Sequence, residues 1–226
     1  MQFRNCFLQL LVLGTCLSGS AAFGQTRDDP WLILANGEKG SINSCTTHEG
    51  LVRTFGATNV LDKDEMDEFS GDMEQLTIVY PDDERRSIKI RWRSGDREAL
   101  PASLTISGRT SRWKVAHNIS LGTSLKELEQ INDRAFLLSD YNWDYPGRTV
   151  VSWENGTLEQ DLDGGHGKIW LRLSCPAPNA SKARVEDRKD FSSHSPIFQK
   201  LNPSIHEIVL EFTVSEQKNC RTPFRR

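Results

Sequence analysis

The segment Asn118-Ile-Ser-Leu-Gly-Thr-Ser-Leu-Lys-Glu-Leu-Glu-Gln-Ile131 carries the clearest structural signal in the chain. A glycine precedes two hydroxyl residues, and the apolar residues Leu125, Leu128 and Ile131 then follow at helical spacing. Ser124 and Glu127 have the separation of a capping box, in which each side chain accepts a backbone N–H at a helix start. The segment therefore predicts a loop or strand end that turns into a short amphipathic helix.

The same outline occurs 77 residues earlier, where Ile42, Thr46, Thr47 and Leu51 take the places of Ile119, Thr123, Ser124 and Leu128. Thr46 and Glu49 predict a second capping box, and Gly56 predicts the left-handed residue that ends this helix after Phe55. Each copy is followed by a loop and then by residues that alternate as in strands. The predicted fold class is α+β: a mostly antiparallel sheet with two short helices from a tandem helix-plus-hairpin repeat.

Three further segments have specific local predictions. Residues 76–80 and 88–92 alternate as half-buried strands do, with Leu76, Ile78 and Tyr80 facing the core on the first and Ile88, Ile90 and Trp92 on the second. Asn155–Gly156 favours a type I′ turn, which predicts a hairpin between strands at 149–153 and 157–159. Ser195 followed by Pro196 predicts a short helix that runs through Leu201.

Residues 1–24 have the pattern of a secretory signal peptide. Arg4 precedes an apolar run from Cys6 to Leu17, and small residues follow it. The run is shorter than the roughly 20 apolar residues that span a bilayer, so we expect no transmembrane segment in the mature chain. Thr15 is a poor residue immediately before Cys16, which disfavours the alternative of a lipid anchor. We predict a periplasmic or secreted protein.

The remaining chain divides into two predicted units. Residues 25–114 form a first helix-plus-sheet unit and residues 115–214 a second, and we expect the two to form one compact domain. Residues 215–226 are expected to be a disordered tail. The chain of 226 residues is long enough to bury a core. Its formal net charge of -3 implies no basic face of the size that nucleic acid binding needs.

Three cysteines, Cys45, Cys175 and Cys220, remain once a signal peptide is removed. In an oxidising compartment an odd number predicts one disulfide plus a free thiol, or an intermolecular bridge. The pairing is open at this point. The cysteines are not in a Cys-x-x-Cys arrangement, so we expect neither a metal nor a redox centre at them.

Motifs of the common hydrolases and phosphate-binding proteins are absent from the sequence, and we expect no cofactor. Segment 161–167 brings two aspartates and a histidine to a glycine turn, which favours a surface turn over metal ligation. Segment 190–194 contains the residue types of a catalytic triad, yet triads assemble across a fold and not within five residues. The acidic segment 62–74 lacks the central glycine and terminal glutamate of a calcium-binding hand motif.

The most promising binding feature is an aromatic loop, Tyr141-Asn-Trp-Asp-Tyr-Pro-Gly147. Aromatic side chains offer a large contact area with few rotamers to freeze, so we predict ligand contacts at Tyr141, Trp143, Asp144 and Tyr145. The alternative is a structural clamp, in which the rings fold back over the neighbouring strands and Asp144 caps the turn.

The repeated outline, carried by Ile42, Thr46, Leu51, Ile119, Gly122, Thr123 and Leu128, resembles helix-plus-sheet modules of bacterial envelope proteins. The small outer-membrane assembly lipoproteins and the β-lactamase inhibitory proteins are the families concerned. The chain from Trp31 to Phe212 is also similar to exported bacterial proteins that carry Thr-Thr-x-x-x-Leu and Trp-Asp-Tyr motifs, as at 46–51 and 143–145 here. These resemblances imply a location in the cell envelope and no catalytic residue.

Three functions follow as hypotheses. The first is a non-catalytic extracytoplasmic binding or envelope-associated protein, whose partner is a protein or an envelope component. The second is a hydrolase of envelope sugar or peptide material that uses carboxylates such as Asp144 and Asp163 as acid and base. The third is an exported domain that is stabilised by calcium bound to the acidic segment 62–74.

Overall fold

The computed structural model describes Trp31, residues 42–66, 71–139, 148–163, 167–174, 190–218, and Cys220. Several sequence predictions lie outside these residues. They are the signal peptide at 1–24, the aromatic loop at 141–147 and Cys175.

The described strands form one sheet. They are Val60–Met66 (β1), Met73–Val79 (β2), Ile88–Trp92 (β3), Pro101–Ser107 (β4), Leu137–Leu138 (β5), Arg148–Ser152 (β6), Lys168–Leu173 (β7), Phe191–Ser192 (β8) and Ile205–Glu211 (β9). Their order across the sheet is β1-β2-β3-β4-β9-β7-β6-β5-β8, and each neighbouring pair is antiparallel. The predicted α+β class with a mostly antiparallel sheet is confirmed.

Short helices accompany the sheet: His48–Phe55 (α1), Leu125–Asn132 (α2), Thr157–Asp163 (α3), Pro196–Leu201 (α4) and Val214–Gln217 (α5). The predicted helix after Ser195 is confirmed as α4, which has proline in its first turn. Helix α5 lies at the start of the segment predicted to be a tail. Within the described part of the chain, none of the helices has the length and apolar character needed to cross a membrane.

The hydrophobic core lies on one face of the sheet. Register places Thr77, Ile90, Leu104, Leu210 and Ile169 side by side on neighbouring strands, and each is buried. Apolar side chains of four helices, Leu51, Leu125, Leu128, Leu158, Leu162 and Phe198, belong to the same core cluster. The helices therefore cover the face on which these strand residues lie.

The predicted inward face of β2 is wrong. Thr77 pairs with Ile90 and Val79 with Ile88, so Thr77 and Val79 face the core, while Leu76 and Ile78 lie on the opposite face. The alternation is ambiguous here because residues 76, 78 and 79 are all apolar. The deciding residue is Thr77, whose hydroxyl has polar partners in the core. The predicted inward face of β3 is confirmed, since Ile88, Ile90 and Trp92 are all buried.

The two predicted helix starts differ in their outcome. The capping box of α2 is confirmed: Ser124 accepts from Glu127 N, and the Glu127 carboxylate accepts from Ser124 N. The box predicted at Thr46 is wrong, because Thr47 caps α1 and accepts from Gly50 N. Thr46 Oγ1 accepts instead from Asn43 N. The predicted end of α1 at Gly56 is confirmed, with a φ of 85°.

The predicted Asn155–Gly156 hairpin is also wrong, because the residues after the turn form α3 and not a strand. A turn with positive φ is present, but it is centred on Glu154 (φ 54°) and Asn155 (φ 57°) and not on Asn155–Gly156. Leu158 and Leu162 are four residues apart and fully buried, which is the spacing of a helix face. The burial of Leu158 and Leu162 on one helix face therefore outweighs the local preference of Asn155–Gly156 for a hairpin turn.

Candidate functional site

A cavity of about 460 Å³ opens beside α2. Seven of the eight residues that line it are of polar or charged type, although their apolar atoms contribute about as much of the lining as their polar atoms: Lys126, Glu129, Gln130, Asp133, Arg134, Ala135, His194 and Gln199. Helix α2 supplies Lys126, Glu129 and Gln130, and the segment leading to β5 supplies residues 133–135. His194 comes from the turn between β8 and α4, and Gln199 from α4. Concave sites with a few converging polar groups are where proteins bind small ligands, so this cavity is the candidate site.

Glu129 lines the cavity with a carboxylate whose two oxygens both accept hydrogen bonds. Its side chain is only 16% exposed. Its Oε1 accepts from Ser193 Oγ at 2.5 Å, and its Oε2 accepts from Gln199 Nε2 at 2.8 Å. Gln199 Nε2 also donates to the Ser193 carbonyl at 3.1 Å. Three chain segments therefore hold this carboxylate in a fixed orientation.

Ser193 and His194 have the residue types of hydrolytic chemistry, but their geometry is structural. Ser193 is fully buried, and its Oγ accepts from Phe136 N at 2.9 Å while it donates to Glu129. Among the described residues no imidazole takes the serine proton, and His194 Nδ1 lies 3.9 Å from Glu129 Oε1 with a side chain that is 78% exposed. A nucleophilic serine needs access to substrate as well as a base on its proton. Ser193 donates its proton to Glu129, but it is fully buried and its oxygen has no access to a substrate.

A second polar cluster joins α1 to the sheet. His48 Nε2 lies 3.0 Å from Asp62 Oδ1, and Arg97 lies 3.1 Å from Asp62 Oδ2. Thr77 Oγ1 donates to Asp62 Oδ1 at 2.9 Å and accepts from Trp92 Nε1 at 2.9 Å. Each hydrogen bond links one element to the next, so the cluster fastens α1, β1, β2 and β3 together.

Three carboxylates of the acidic segment 62–74 are in ion pairs: Asp62, Glu65 and Glu74. Glu65 lies 3.3 Å from Lys89, and Glu74 lies 3.0 Å from Arg91. Asp62 is paired as described above. Across the described ranges, no group of three or more His, Cys, Asp and Glu side chains is placed to hold a metal ion.

A disulfide joins Cys45 to Cys220, across 175 residues of sequence. The same region is held by Gln217, whose Nε2 donates to the carbonyls of Pro101 at 2.7 Å and Ser44 at 3.3 Å. Arg93 Nε donates to Gln217 Oε1 at 2.8 Å. The end of the described chain is thereby fixed to the loop that precedes α1.

The sequence matches no protein-family model and no curated protein. Among solved structures, it is similar to the crystal structure of the uncharacterized protein yfeY from Escherichia coli, with 11% sequence identity and a TM-score of 0.40. The likeness covers 76% of this chain and 94% of that chain. A likeness of this size carries no argument about function.

The structure places few of the sequence-predicted site residues. Tyr141, Trp143, Asp144 and Tyr145 lie outside the described residues, so the aromatic loop stays a prediction. The hydrolase hypothesis pairs Asp144 with Asp163. Asp163 is the last residue of α3, and its carboxylate lies 2.9 Å from the Lys168 ammonium. Asp161 lies 2.6 Å from His117, so both aspartates have a basic partner. The surface turn predicted from residue 161 is wrong for these two residues, because Asp161 and Asp163 belong to α3.

The cavity itself was missed at the level of sequence. Glu129 directly follows Leu128 and stands four residues after Leu125, so it lies at the edge of the apolar face of α2. A carboxylate at such an edge is a weak signal, because most charged residues there reach solvent. Its partners Ser193 and Gln199 are 64 and 70 residues away, and only the fold brings them together.

Proposed function

We propose that this chain is an exported, non-catalytic binding protein with a ligand site in the cavity beside α2. The observation that carries the proposal is the arrangement of Glu129, Ser193 and Gln199. The Glu129 carboxylate accepts from both the Ser193 hydroxyl and the Gln199 amide, and Gln199 also donates to the Ser193 main-chain carbonyl, so the positions of these groups are set before a ligand arrives. Preorganised polar groups at the wall of a cavity favour binding because less conformational entropy is lost.

The disulfide supports the exported location. Disulfides persist in oxidising compartments and are rare in the cytosol. The Cys45–Cys220 bridge fits the signal-peptide pattern of residues 1–24. A protein found reduced in the cytoplasmic fraction, with residues 1–24 still attached, would contradict this part of the proposal.

The absence of catalysis is supported by Ser193 and Glu129. The hydroxyl of Ser193 is fully buried and already both donates and accepts. Each oxygen of the Glu129 carboxylate accepts one hydrogen bond, from Ser193 or from Gln199, which fixes its orientation. Both groups act as fixed hydrogen-bonding partners in this arrangement.

A thermal-shift screen of the mature protein tests the proposal. The screen uses polar small molecules of several classes: sugars, amino acids, short peptides, nucleosides and inorganic anions. Ala135 lines the cavity, so Ala135→Trp should fill it and abolish the shift given by a true ligand. Ala57→Trp, on the exposed turn after α1, is the matched control and should leave the shift unchanged.

Two outcomes of this screen would overturn the proposal. One is a set of ligands whose binding Ala135→Trp leaves intact, since the cavity would then not be the site. The other is chemical conversion of a bound ligand, which mass spectrometry of the incubated mixture would detect. Recovery of the ligand unchanged supports a binding protein.

We also propose that the aromatic loop, with Tyr141, Trp143, Asp144 and Tyr145, contacts a protein or envelope partner. The support is its composition, since tyrosine and tryptophan dominate binding hot spots. Affinity capture from envelope extract with the wild-type chain and with Trp143→Ala provides the test. Identical sets of captured proteins would remove this role from the loop.

The tandem repeat is a proposal about architecture. It is supported by α1 and α2, which are both eight residues long and start 77 residues apart. Ile42 and Ile119, and Leu51 and Leu128, are buried at matching positions of the two units. An experimental structure in which the helices and following strands of the two units do not superpose would contradict the repeat.

A further inference from the structure

The cavity holds a carboxylate that lacks a permanent counter-ion. Glu129 is 16% exposed, and among the described residues no lysine or arginine lies within ion-pair distance of it. The nearest basic group is His194 Nδ1 at 3.9 Å, on an exposed side chain. Charged groups withdrawn from water are normally paired, so this arrangement is incomplete without a cation.

Three other carboxylates of the fold differ from Glu129 because each has an arginine or lysine partner. Asp62 has Arg97 at 3.1 Å, Glu74 has Arg91 at 3.0 Å, and Asp163 has Lys168 at 2.9 Å. Each of these three is more exposed than Glu129, with side-chain exposures of 35%, 22% and 32%. The least exposed carboxylate of the four is the one without a lysine or arginine.

Glu129 retains acceptor capacity that faces the cavity. Each carboxylate oxygen offers about two lone-pair sites. Ser193 Oγ takes one site on Oε1, and Gln199 Nε2 takes one on Oε2. One site on each oxygen is left for an incoming donor. An ammonium group has three N–H donors and a full positive charge, so it satisfies both the geometry and the charge.

The rim of the cavity carries charges of its own. Lys126 and Arg134 line it, and neither makes an ion pair with a described carboxylate. Arg134 Nη1 donates to the Glu154 carbonyl at 2.9 Å, which fixes the guanidinium without neutralising it. Asp133 lies on the same rim, so the two basic groups are partly balanced. Two positive groups beside an ammonium site, of which Arg134 is held in place, disfavour polycations and favour a ligand that also carries a negative charge.

We propose that the cavity beside α2 binds a small zwitterion of the amino-acid kind, with its ammonium on Glu129 and its carboxylate toward Arg134 and Lys126. This rests on the proposed function, because it names the ligand class of the same site. The cavity volume of about 460 Å³ suits a small molecule of this kind.

Isothermal titration calorimetry on the mature protein tests the ligand class. Each of the standard amino acids is titrated first. The best binder is then compared with its methyl ester, which lacks the carboxylate, and with its N-acetyl form, which lacks the ammonium. We expect the free amino acid to bind about 10-fold or more tightly than either blocked form, since each removes one charge-assisted contact.

The variants assign the two contacts to their residues. Glu129→Gln should abolish the preference for the free amino acid over its N-acetyl form, and Arg134→Gln should reduce the preference over the methyl ester. Glu49→Gln is the control, because it makes the same charge change on the exposed face of α1. Thermal melting of each variant shows whether it is folded, and the analogue series on the wild type needs no variant at all.

The outcomes separate this inference from the proposed function. Absence of binding by every amino acid overturns the inference, as does a methyl ester or a diamine that binds as tightly as the amino acid. If a sugar or an anion binds instead and Ala135→Trp abolishes that binding, the site is a ligand cavity but not for zwitterions. Glu129→Gln that leaves amino-acid affinity unchanged also overturns the inference.

Discussion

Helices α1 and α2 start in the same way and end differently. A hydroxyl side chain caps each one, Thr47 on α1 and Ser124 on α2. The last helical residues are Phe55 in α1 and Asn132 in α2, and each is followed by a residue with positive φ, Gly56 (85°) and Asp133 (60°). Helix α2 adds tertiary contacts to this local cap, because Asn132 is a fully buried amide that bonds to residues more than twenty positions ahead. The caps of both helices are set by nearby residues, and the end of α2 depends in addition on contacts that the fold brings together.

Asn132 determines the structure that follows β6. Its Nδ2 donates to the carbonyls of Trp153 at 2.9 Å and Arg134 at 3.2 Å, and its Oδ1 accepts from Leu158 N at 3.1 Å. The last bond satisfies one of the free N–H groups at the start of α3. A Cβ on Gly156 would overlap this amide. The glycine is therefore needed for close approach to Asn132.

Thr77 is a second buried polar residue that connects elements, and it lies on a strand. Thr77 of β2 is fully buried, and its hydroxyl connects Trp92 of β3 to Asp62 of β1. Asn132 joins helix α2 to helix α3, while Thr77 joins three neighbouring strands. The two residues therefore differ in the elements that they connect.

The largest effect is expected where Gly156 packs on Asn132. Gly156→Ala should lower the free energy of unfolding by about 3 kcal/mol, because the new methyl group overlaps a buried side chain. Asn132→Ala should lower it by a similar amount, about 3 kcal/mol, through buried groups left unpaired. The double variant should lose about 1 to 3 kcal/mol less than the sum of the two, since Asn132→Ala removes the amide with which the new methyl group clashes.

Urea denaturation of the four chains measures this cycle. Gly50→Ala on α1 is the control, because its Cβ meets only Thr47 Oγ1 at 3.2 Å. We expect the control to change stability by no more than about 1 kcal/mol. Strict additivity of Gly156→Ala and Asn132→Ala would show that the two residues are not coupled.

The loops that lead into α1 and α2 are held by different kinds of bond, and the next prediction tests this difference. The loop before α1 is fixed by the Cys45–Cys220 disulfide. The loop before α2 is held by main-chain bonds, from Gly122 N to Ile205 O at 2.8 Å and from Leu125 N to Pro203 O at 2.8 Å. Replacing both cysteines by serine should cost about 2 to 4 kcal/mol, because a bridge across a long loop constrains the unfolded chain.

The chemical control for the disulfide is reduction. A reducing agent should lower the urea midpoint of the wild-type chain to that of the double serine variant and leave the variant unchanged. A wild-type midpoint that does not respond to reduction would show that the bridge contributes no stability, and the loop before α1 would then rest on Gln217 alone.

A smaller effect is expected at Thr77. Thr77→Val keeps the shape but removes the hydroxyl, which leaves the Trp92 indole N–H without a partner in the core. The loss should be about 1 to 3 kcal/mol. Thr77→Ser keeps the hydroxyl and loses one methyl group, so it should be less destabilising. Equal urea midpoints for the two variants would show that the hydrogen bonds of Thr77 add nothing.

The sequence is a good guide to features set within a few residues. The α2 capping box, the glycine that ends α1, the Ser195–Pro196 helix and the alternation of β3 all depend on near neighbours, and all are confirmed. The Asn155–Gly156 hairpin is a local signal that Asn132, 24 positions away, overrides. The inward face of β2 is decided by Thr77, whose polar partners come from two other strands.

The candidate cavity could not be predicted for the same physical reason. Glu129, Ser193 and Gln199 are ordinary residues in their own segments, and their hydrogen bonds exist only once α2, the turn after β8, and α4 have packed together. The aromatic loop is predicted from its composition. Composition indicates that its side chains can make large contacts, but it does not indicate where they lie in the fold.

The smallest effect concerns the two caps and their response to pH. Backbone and hydroxyl donors of Ser124 lower the pKa of the Glu127 carboxyl below its ordinary value of 4.5. A lowered carboxyl pKa stabilises the fold at pH values above 4.5, and this contribution is lost as the pH falls through the folded-state pKa. Helix α1 has Gly50 where α2 has Glu127, so its cap has no ionisable group.

Glu127→Gln should therefore lower stability by at most about 0.5 kcal/mol near neutral pH, since this carboxyl is exposed to solvent. The difference from wild type should shrink as the pH falls below 4.5 and through the lowered folded-state pKa, since the carboxyl then becomes protonated in both states. Thr47→Ala removes the cap of α1 and should cost about 1 kcal/mol at neutral and at acidic pH. Urea midpoints at neutral and at acidic pH measure both effects. A Glu127→Gln difference that stays constant with pH would mean that the ionised carboxylate does not contribute to the α2 cap, and the starts of α1 and α2 would then be equivalent.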